Sequence, residues 1–388
     1  MLLVTAGIVA AFHVGKVPPA LPSLRAETGA TLSQGGWLLA IVNLVTALAG
    51  MAIALTADRF GHRRLIMMGT AITTATSLLG AFAGTIEVLL VLRLFEGLGF
   101  IAVAVAIPSL VVRLAAPADT RRAMTLWAIY MPIGAGAMMT LSAVTLIYAS
   151  WRTVWLVAAA ASGLMMLALL LRTLRRTELD PPPVAARPVF REIIEVATSG
   201  GPLAIALCFG AYACCWFAVV GFLPTLQTER LGFSASTAAI VTAAITFVNF
   251  SGNLLAGTLL GRGVSRGTII VGATVSMAFC ASALFLDVLP DIVRLVLAGV
   301  YSALIGAVPA ALFTALPVHA PRPQLVGASN GLLMQGSNLG ALLGPPITAA
   351  VVASAGWAHA AWVTSISLGI AAAAGVFLHL RERRKLAA

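Results

Sequence analysis

The sequence predicts an all-α membrane protein: twelve transmembrane helices in two pseudo-symmetric six-helix bundles. Three observations carry that prediction. Hydrophobic residues make up 60% of the 388, charged residues only 10%, and the mean hydropathy is +1.01. Apolar runs of about 20 residues, the length that crosses a bilayer as a helix, recur along the whole chain. Landmarks in the first half return in the second at a nearly constant offset. Backbone in hydrocarbon must satisfy its own hydrogen bonds, which leaves helices or closed barrels. Runs this long, without strand-like alternation, select helices.

The spans follow in order. The first covers 2–23, with a loop to Gln34. The second (35–56) and third (65–84) flank the charged turn Ala57-Asp58-Arg59-Phe60-Gly61-His62-Arg63-Arg64. The fourth covers 86–112 and leads into a basic loop ending at Arg122. The fifth covers 123–148, and a very short turn at Ser150-Trp151-Arg152 leads into the sixth, which ends near Leu171. Between 172 and 200 the texture changes to a polar, Pro-rich linker containing Asp180-Pro181-Pro182-Pro183, with a short surface helix expected near 190–197. The remaining spans cover 201–225, 236–260, 268–285, 292–315, 326–353 and 359–380. This divides the chain into a bundle at 1–171, a cytoplasmic linker at 172–200 and a second bundle at 201–388.

The formal charge of +11 would suit nucleic acid if it were clustered on one face. Instead, 18 of the 24 Lys and Arg fall in alternate loops, including Arg59, Arg63, Arg64, Arg121, Arg122, Arg175, Arg176 and Arg384, while the opposite loops hold Arg25, Arg152 and Arg230. That asymmetry is the positive-inside pattern. It predicts a multi-pass protein of the cell inner membrane with both termini cytoplasmic, the bilayer as partner and no nucleic acid. Cys208, Cys214, Cys215 and Cys280 lie in apolar segments without metal-ligand spacing and read as small packing residues. Met1 begins almost within the first span, so no separate signal peptide is expected.

The repeat is seen in paired landmarks. Leu21-Pro22-Ser23-Leu24 matches Leu223-Pro224-Thr225-Leu226, Pro108 matches Pro309, and Trp151 matches Trp357. Two parallel six-helix halves related by an axis along the membrane normal are a transporter architecture.

On these residues the chain resembles the major facilitator superfamily. The family's loop motif G-x-L-A-D-R-x-G-R-R is met by 54–64 with its Asp58-Arg59-x-Gly61 core intact, Ala54 replacing the first Gly and His62 the first trailing basic residue. Arg93-Leu-Phe-Glu96-Gly97 matches a second motif, R-x-x-[QE]-G, and the Trp151-Arg152 turn is also familiar. His13-Val-Gly-Lys16-Val-Pro-Pro is similar to the cyanate and nitroimidazole permease-like branch. The resemblance implies that Asp58, Arg59, Gly61 and Arg63 gate transport, and that spans one, four, seven and ten line a central cavity. The antiporter motif G-x-x-x-G-P is not intact on span five (Pro132-Ile-Gly134-Ala-Gly136-Ala). It stands on span eleven as Gly340-Ala-Leu-Leu-Gly344-Pro345.

Few ionisable residues fall within the spans: His13 and Lys16 on span one, Arg93 and Glu96 on span four, and Arg294 on span ten. A charge at bilayer depth costs at least ~2.5 kcal/mol and therefore faces a partner or a wet cavity. His13 and Lys16 are three apart and share a helix face, as do Arg93 and Glu96. Counting residues from the span ends at 1.5 Å each puts Lys16 and Glu96 within roughly 5 Å in depth. Arg93 and Arg294 differ by the repeat offset. Arg294 has Leu297 where Arg93 has Glu96, which reads as the freer cation. Net positive charge with planar Arg suits an oxyanion. The candidate substrate-binding set is Lys16, Arg93 and Arg294, with Trp216 and Tyr301 as cavity walls. Glu96 and His13 are the candidate proton-coupling groups.

A plainer reading stands beside each assignment. Arg93 with Glu96 reads equally as a pair that locks span four, Arg294 as a residue reaching the headgroups, and His13 as a hydrogen-bonded core residue. Trp216 and Tyr301 read equally as packing. Asn249, Asn253, Gln335 and Asn338 read as interhelical hydrogen-bonding residues, and His62 as a solvated loop residue.

No phosphate-binding glycine loop implies ATP drive. No Ser-His-Asp or metal constellation implies an enzyme, and no cofactor is expected. The sequence thus predicts a monomeric secondary transporter moving a small, anionic organic or inorganic solute by alternating access, with protons as the coupling ion. A proton-coupled drug or metabolite exporter is the alternative, and a membrane receptor or scaffold is a third class.

Overall fold

The computed structural model describes residues 2–48, 61–114, 127, 130–173, 189–286 and 288–387. Fourteen α-helices are described. They are α1 (Leu2–Gly15), α2 (Val17–Thr28), α3 (Leu32–Ala40), α4 (His62–Ala81), α5 (Ile86–Leu114), α6 (Tyr130–Tyr148) and α7 (Trp151–Thr173), then α8 (Val189–Thr198), α9 (Gly200–Leu231), α10 (Ala235–Gly261), α11 (Arg266–Phe285), α12 (Asp291–His319), α13 (Val326–Ala355) and α14 (Ala360–Ala387). With α1 and α2 taken as one span, ten of the described spans are long and apolar enough to cross a membrane. The 20-residue α4 and the apolar stretch Leu32–Leu48 occupy the other two expected positions.

Local chemistry sets several of these elements. The first span breaks at Lys16, because Pro18 and Pro19 have no N–H to offer the carbonyls of Val14 and Gly15. Span two begins with a capping box between Thr31 and Gln34. Helix α4 is less apolar than its neighbours, yet Thr70, Thr73, Thr74 and Thr76 each bond a carbonyl within the helix, so their hydroxyls carry no unmet demand into the bilayer. Gly61 starts α4 at φ 84°, a backbone conformation that favours glycine, and its carbonyl accepts from Leu65 N. The Trp151-Arg152 turn is an anchor. Both side chains bond Glu27 at the end of α2, and Arg152 also bonds the carbonyls of Ala81 and Ala83.

The chain sorts into two compact units, 1–185 with 223–243, and 186–222 with 244–388. In the first, Glu229 of α9 pairs with Arg25 of α2 at 2.7 Å. In the second, Gly336, Gly340 and Gly344 on α13 lie against the backbone of Ala206, Gly210 and Cys214 on α9, where a Cβ would overlap main-chain atoms. Small residues are how membrane helices approach closely, so the G-x-x-x-G-P motif here is a packing seam. The four cysteines are buried in this unit and free, and Cys208 and Cys215 bond carbonyls of α14. The surface helix expected near the linker is α8. Its Glu195 holds Arg322 at 2.5 Å.

Candidate functional site

Glu96 is the centre of a buried polar cluster inside the first unit. Its Oε1 accepts from Lys16 Nζ at 2.5 Å and Ser77 Oγ at 2.6 Å, and lies 2.5 Å from His13 Nδ1. Its Oε2 accepts from Arg93 Nη1 at 2.6 Å. Lys16 Nζ also donates to Ser77 Oγ at 2.7 Å and stands 4.7 Å from the centre of the Trp155 ring. His13 Nε2 lies 2.8 Å from Ser162 Oγ. Arg93 reaches further, through Nη1 to the His13 carbonyl at 2.6 Å and through Nε to the Leu38 carbonyl at 3.2 Å. None of His13, Lys16, Ser77, Arg93, Glu96 or Ser162 is more than 1% exposed.

Five spans build this arrangement. Span one supplies His13 and Lys16, the second at the break between α1 and α2. Span two supplies a backbone carbonyl. Helix α4 supplies Ser77, α5 supplies Arg93 and Glu96 one turn apart, and α7 supplies Trp155 and Ser162. Gly97 lets α5 lie against the Val42 carbonyl, where a Cβ would collide, and this accounts for the glycine that ends R-x-x-E-G. Gly15 and Gly134 do the same between α1 and α6. The charges do not cancel. Lys16 and Arg93 bring two positive charges and Glu96 one negative, with His13 able to add another. Removing one partner from such a buried set typically costs about 3–5 kcal/mol.

The sequence brought Lys16 and Glu96 to one depth, and here they touch. His13 and Arg93 join them. Arg294, Trp216 and Tyr301 belong to the second unit. The expectation that Arg294 is the freer cation is corrected. It is 8% exposed and ion-paired with Asp291, one turn back in the first turn of α12, so its partner lies at i−3 rather than i+3. Trp216 is half-buried, with its ring edge-on to Phe217 at 4.5 Å. Tyr301 is 1% exposed, its hydroxyl without a hydrogen-bond partner among the described residues. Asp58 and Arg59 lie outside the described residues, while Gly61 and Arg63 stand at the start of α4. His62 is corrected from a solvated loop residue to a fully buried one in the first turn of α4. Asn253 bonds Asn249, and Asn338 bonds the Met334 carbonyl, within their own helices rather than between helices. Sequence reasoning missed Ser77, Ser162 and Trp155.

Residues 3–334 match the family model described as Major Facilitator Superfamily. The 3-(3-hydroxy-phenyl)propionate transporter of Escherichia coli K12 is 25% identical over 320 residues, covering 82% of this chain and 78% of that protein. A cephamycin export protein of Amycolatopsis lactamdurans is 32% identical over 161 residues, 40% of this chain and 32% of its own length. Among solved structures, a bacterial homologue of the human lysosomal transporter Spinster, inward-facing and occupied, aligns with TM-score 0.76 at 16% identity over 98% of this chain and 96% of the other. A D-xylose–proton symporter aligns with TM-score 0.75 at 14% identity over 97% and 95%.

Proposed function

This chain belongs to the major facilitator superfamily and is a multi-pass transporter of small organic solutes; on that premise we propose that its substrate is a small organic anion, carried in symport with protons. The observation that carries this reading is the buried cluster in which two fixed cations and a histidine converge on one carboxylate, Glu96. A substrate carboxylate has the same chemistry as Glu96 and competes with it for Lys16 and Arg93. A proton on Glu96 removes that competition. Anion and proton then bind with positive linkage, which is what symport requires. A relative whose name specifies a propionate supports the carboxylate class.

In this reading Arg294, Trp216 and Tyr301 are the second half's contribution to the substrate path. The buried Tyr301 hydroxyl, unpartnered among the described residues, is a group that a substrate oxygen satisfies. The bundles at 1–171 and 201–388 carry out transport by alternating access. The Arg-rich loops and both termini face the cytoplasm across an inner membrane, and the turn carrying Asp58, Arg59, Gly61 and Arg63 gates that face.

The test is uptake into proteoliposomes of small aromatic and aliphatic carboxylates under an imposed proton gradient. The reading expects accumulation of carboxylates that collapses with a protonophore. Accumulation of cationic dyes with no carboxylate uptake would instead favour a proton-coupled exporter. That second reading draws on the cephamycin export relative. The G-x-x-x-G-P motif lends it little, because on α13 those glycines are already accounted for by the contact with α9.

A further inference from the structure

We infer that Ser162 is a positioning residue: Glu96 sets the hydrogen on Nδ1 of His13, and the Ser162 hydroxyl holds the ring by meeting Nε2 in both its neutral and its protonated state. A carboxylate only accepts, so the 2.5 Å contact between His13 Nδ1 and Glu96 Oε1 places a hydrogen on Nδ1. In neutral imidazole the other nitrogen is then an acceptor. Ser162 Oγ, 2.8 Å from Nε2, donates to it. When His13 gains a second proton, Nε2 becomes a donor and the same hydroxyl turns to accept. A hydroxyl serves both states because it is donor and acceptor at once. A carboxylate at this position, which only accepts, would favour one of them.

The surroundings leave this role to Ser162. Around the ring, α5 presents Glu96 and Arg93, the first span's own Lys16 lies on Glu96, and α4 presents Ser77, 3.0 Å from Nδ1. Helix α6 approaches through Gly134 and Ala135, which carry no ionisable group. Helix α7 brings Trp155 to Lys16 and Ser162 to Nε2. The charged partners therefore crowd the Nδ1 side, and Ser162 alone among these neighbours addresses Nε2. With His13 and Ser162 both buried, water does not replace a lost hydroxyl without cost.

The consequence for transport rests on the proton-coupled reading above, whereas the tautomer does not. The test is 15N NMR of the full-length protein labelled at its five histidines, with His13 assigned by difference from His13→Asn. Wild type is expected to give the Nδ1–H tautomer. Ser162→Ala should leave the hydrogen on Nδ1, where Glu96 holds it, but shift the Nε2 resonance as its hydrogen bond is lost, and Ser162→Thr, which restores the hydroxyl, should return the wild-type shift. Wild type in the Nε2–H form, an unchanged Nε2 shift in Ser162→Ala, or a failure of Ser162→Thr to restore it each overturns the proposal. In liposomes, losing one such hydrogen bond should lower proton-driven accumulation roughly three- to tenfold and affect substrate exchange less. Equal losses would assign Ser162 to packing and overturn its positioning role. If wild-type uptake ignores the proton gradient, the symport reading fails while the NMR result stands.

Discussion

Arg93 Nη1 donates to the main-chain carbonyl of His13 at 2.6 Å while also holding Glu96 one turn along its own helix. A side chain of span four thus ties down the backbone of span one three residues before that span breaks at Lys16. The Pro18-Pro19 pair weakens the helix there, and the guanidinium supplies an external restraint. The R-x-x-E-G motif is therefore a clamp on span one as well as a pair within span four.

This relationship predicts that Arg93→Lys is not conservative. A lysine keeps the charge opposite Glu96 but cannot also reach the carbonyls of His13 and Leu38 in the planar geometry of arginine. Thermal unfolding in detergent, followed by size-exclusion fluorescence, should show a loss of about 1–3 kcal/mol for the buried carbonyls left unmet. Unfolding indistinguishable from wild type would mean that those carbonyl contacts contribute nothing.

A second prediction concerns Arg294. Its partner, Asp291, is half a side chain out in the open, at 59% exposure against 10% for Arg294, so the pair contributes little stability by itself. If Arg294 meets the substrate, Asp291→Asn removes a competing carboxylate, and anion affinity should rise a few-fold. Arg294→Lys should lower affinity through loss of the bidentate fork. Calorimetric or fluorescence binding constants that match wild type in both variants would place Arg294 in a purely structural pair at the start of α12.

Much of the site was legible because its rules are local. Spacing by three put His13 with Lys16 and Arg93 with Glu96, and helical rise put Lys16 level with Glu96. Ser77 and Ser162 were not legible, since serines are common in these spans and only the rotational setting of α4 and α7 against span one selects these two. Asp291 was not paired with Arg294 because the expected span began at 292, which left Asp291 at the edge of the loop. The helix begins at that residue, and a backward step of three was as available as the forward step to Leu297. His62 was misread for a similar reason. The turn's charge suggested solvent, whereas α4 starts immediately after Gly61 and draws His62 into the packed first turn. The repeat was visible because its markers are prolines and tryptophans that keep matching places in the two halves. Pro22 and Pro224 both lie inside helices, and Trp151 and Trp357 both begin them.

The gating turn gives a third prediction, drawn from the sequence because Asp58 and Arg59 lie outside the described residues. Gly261 stands at the second-half position that Asp58 occupies in the first, so one half alone carries the carboxylate. Asp58→Asn should lower the transport rate more than substrate affinity. Binding that collapses while turnover per bound substrate stays normal would rule out a gating role.

The most direct test of the account is Glu96→Gln in proteoliposomes, measured as uphill uptake on a proton gradient and as substrate exchange without one. Gln keeps the shape of the site and the contact to Ser77, but it can neither release a proton nor balance Lys16 and Arg93. The account predicts that exchange persists and that proton-driven accumulation is lost. If Glu96→Gln still concentrates substrate on a proton gradient, Glu96 is not the coupling site and the symport mechanism built on it is wrong.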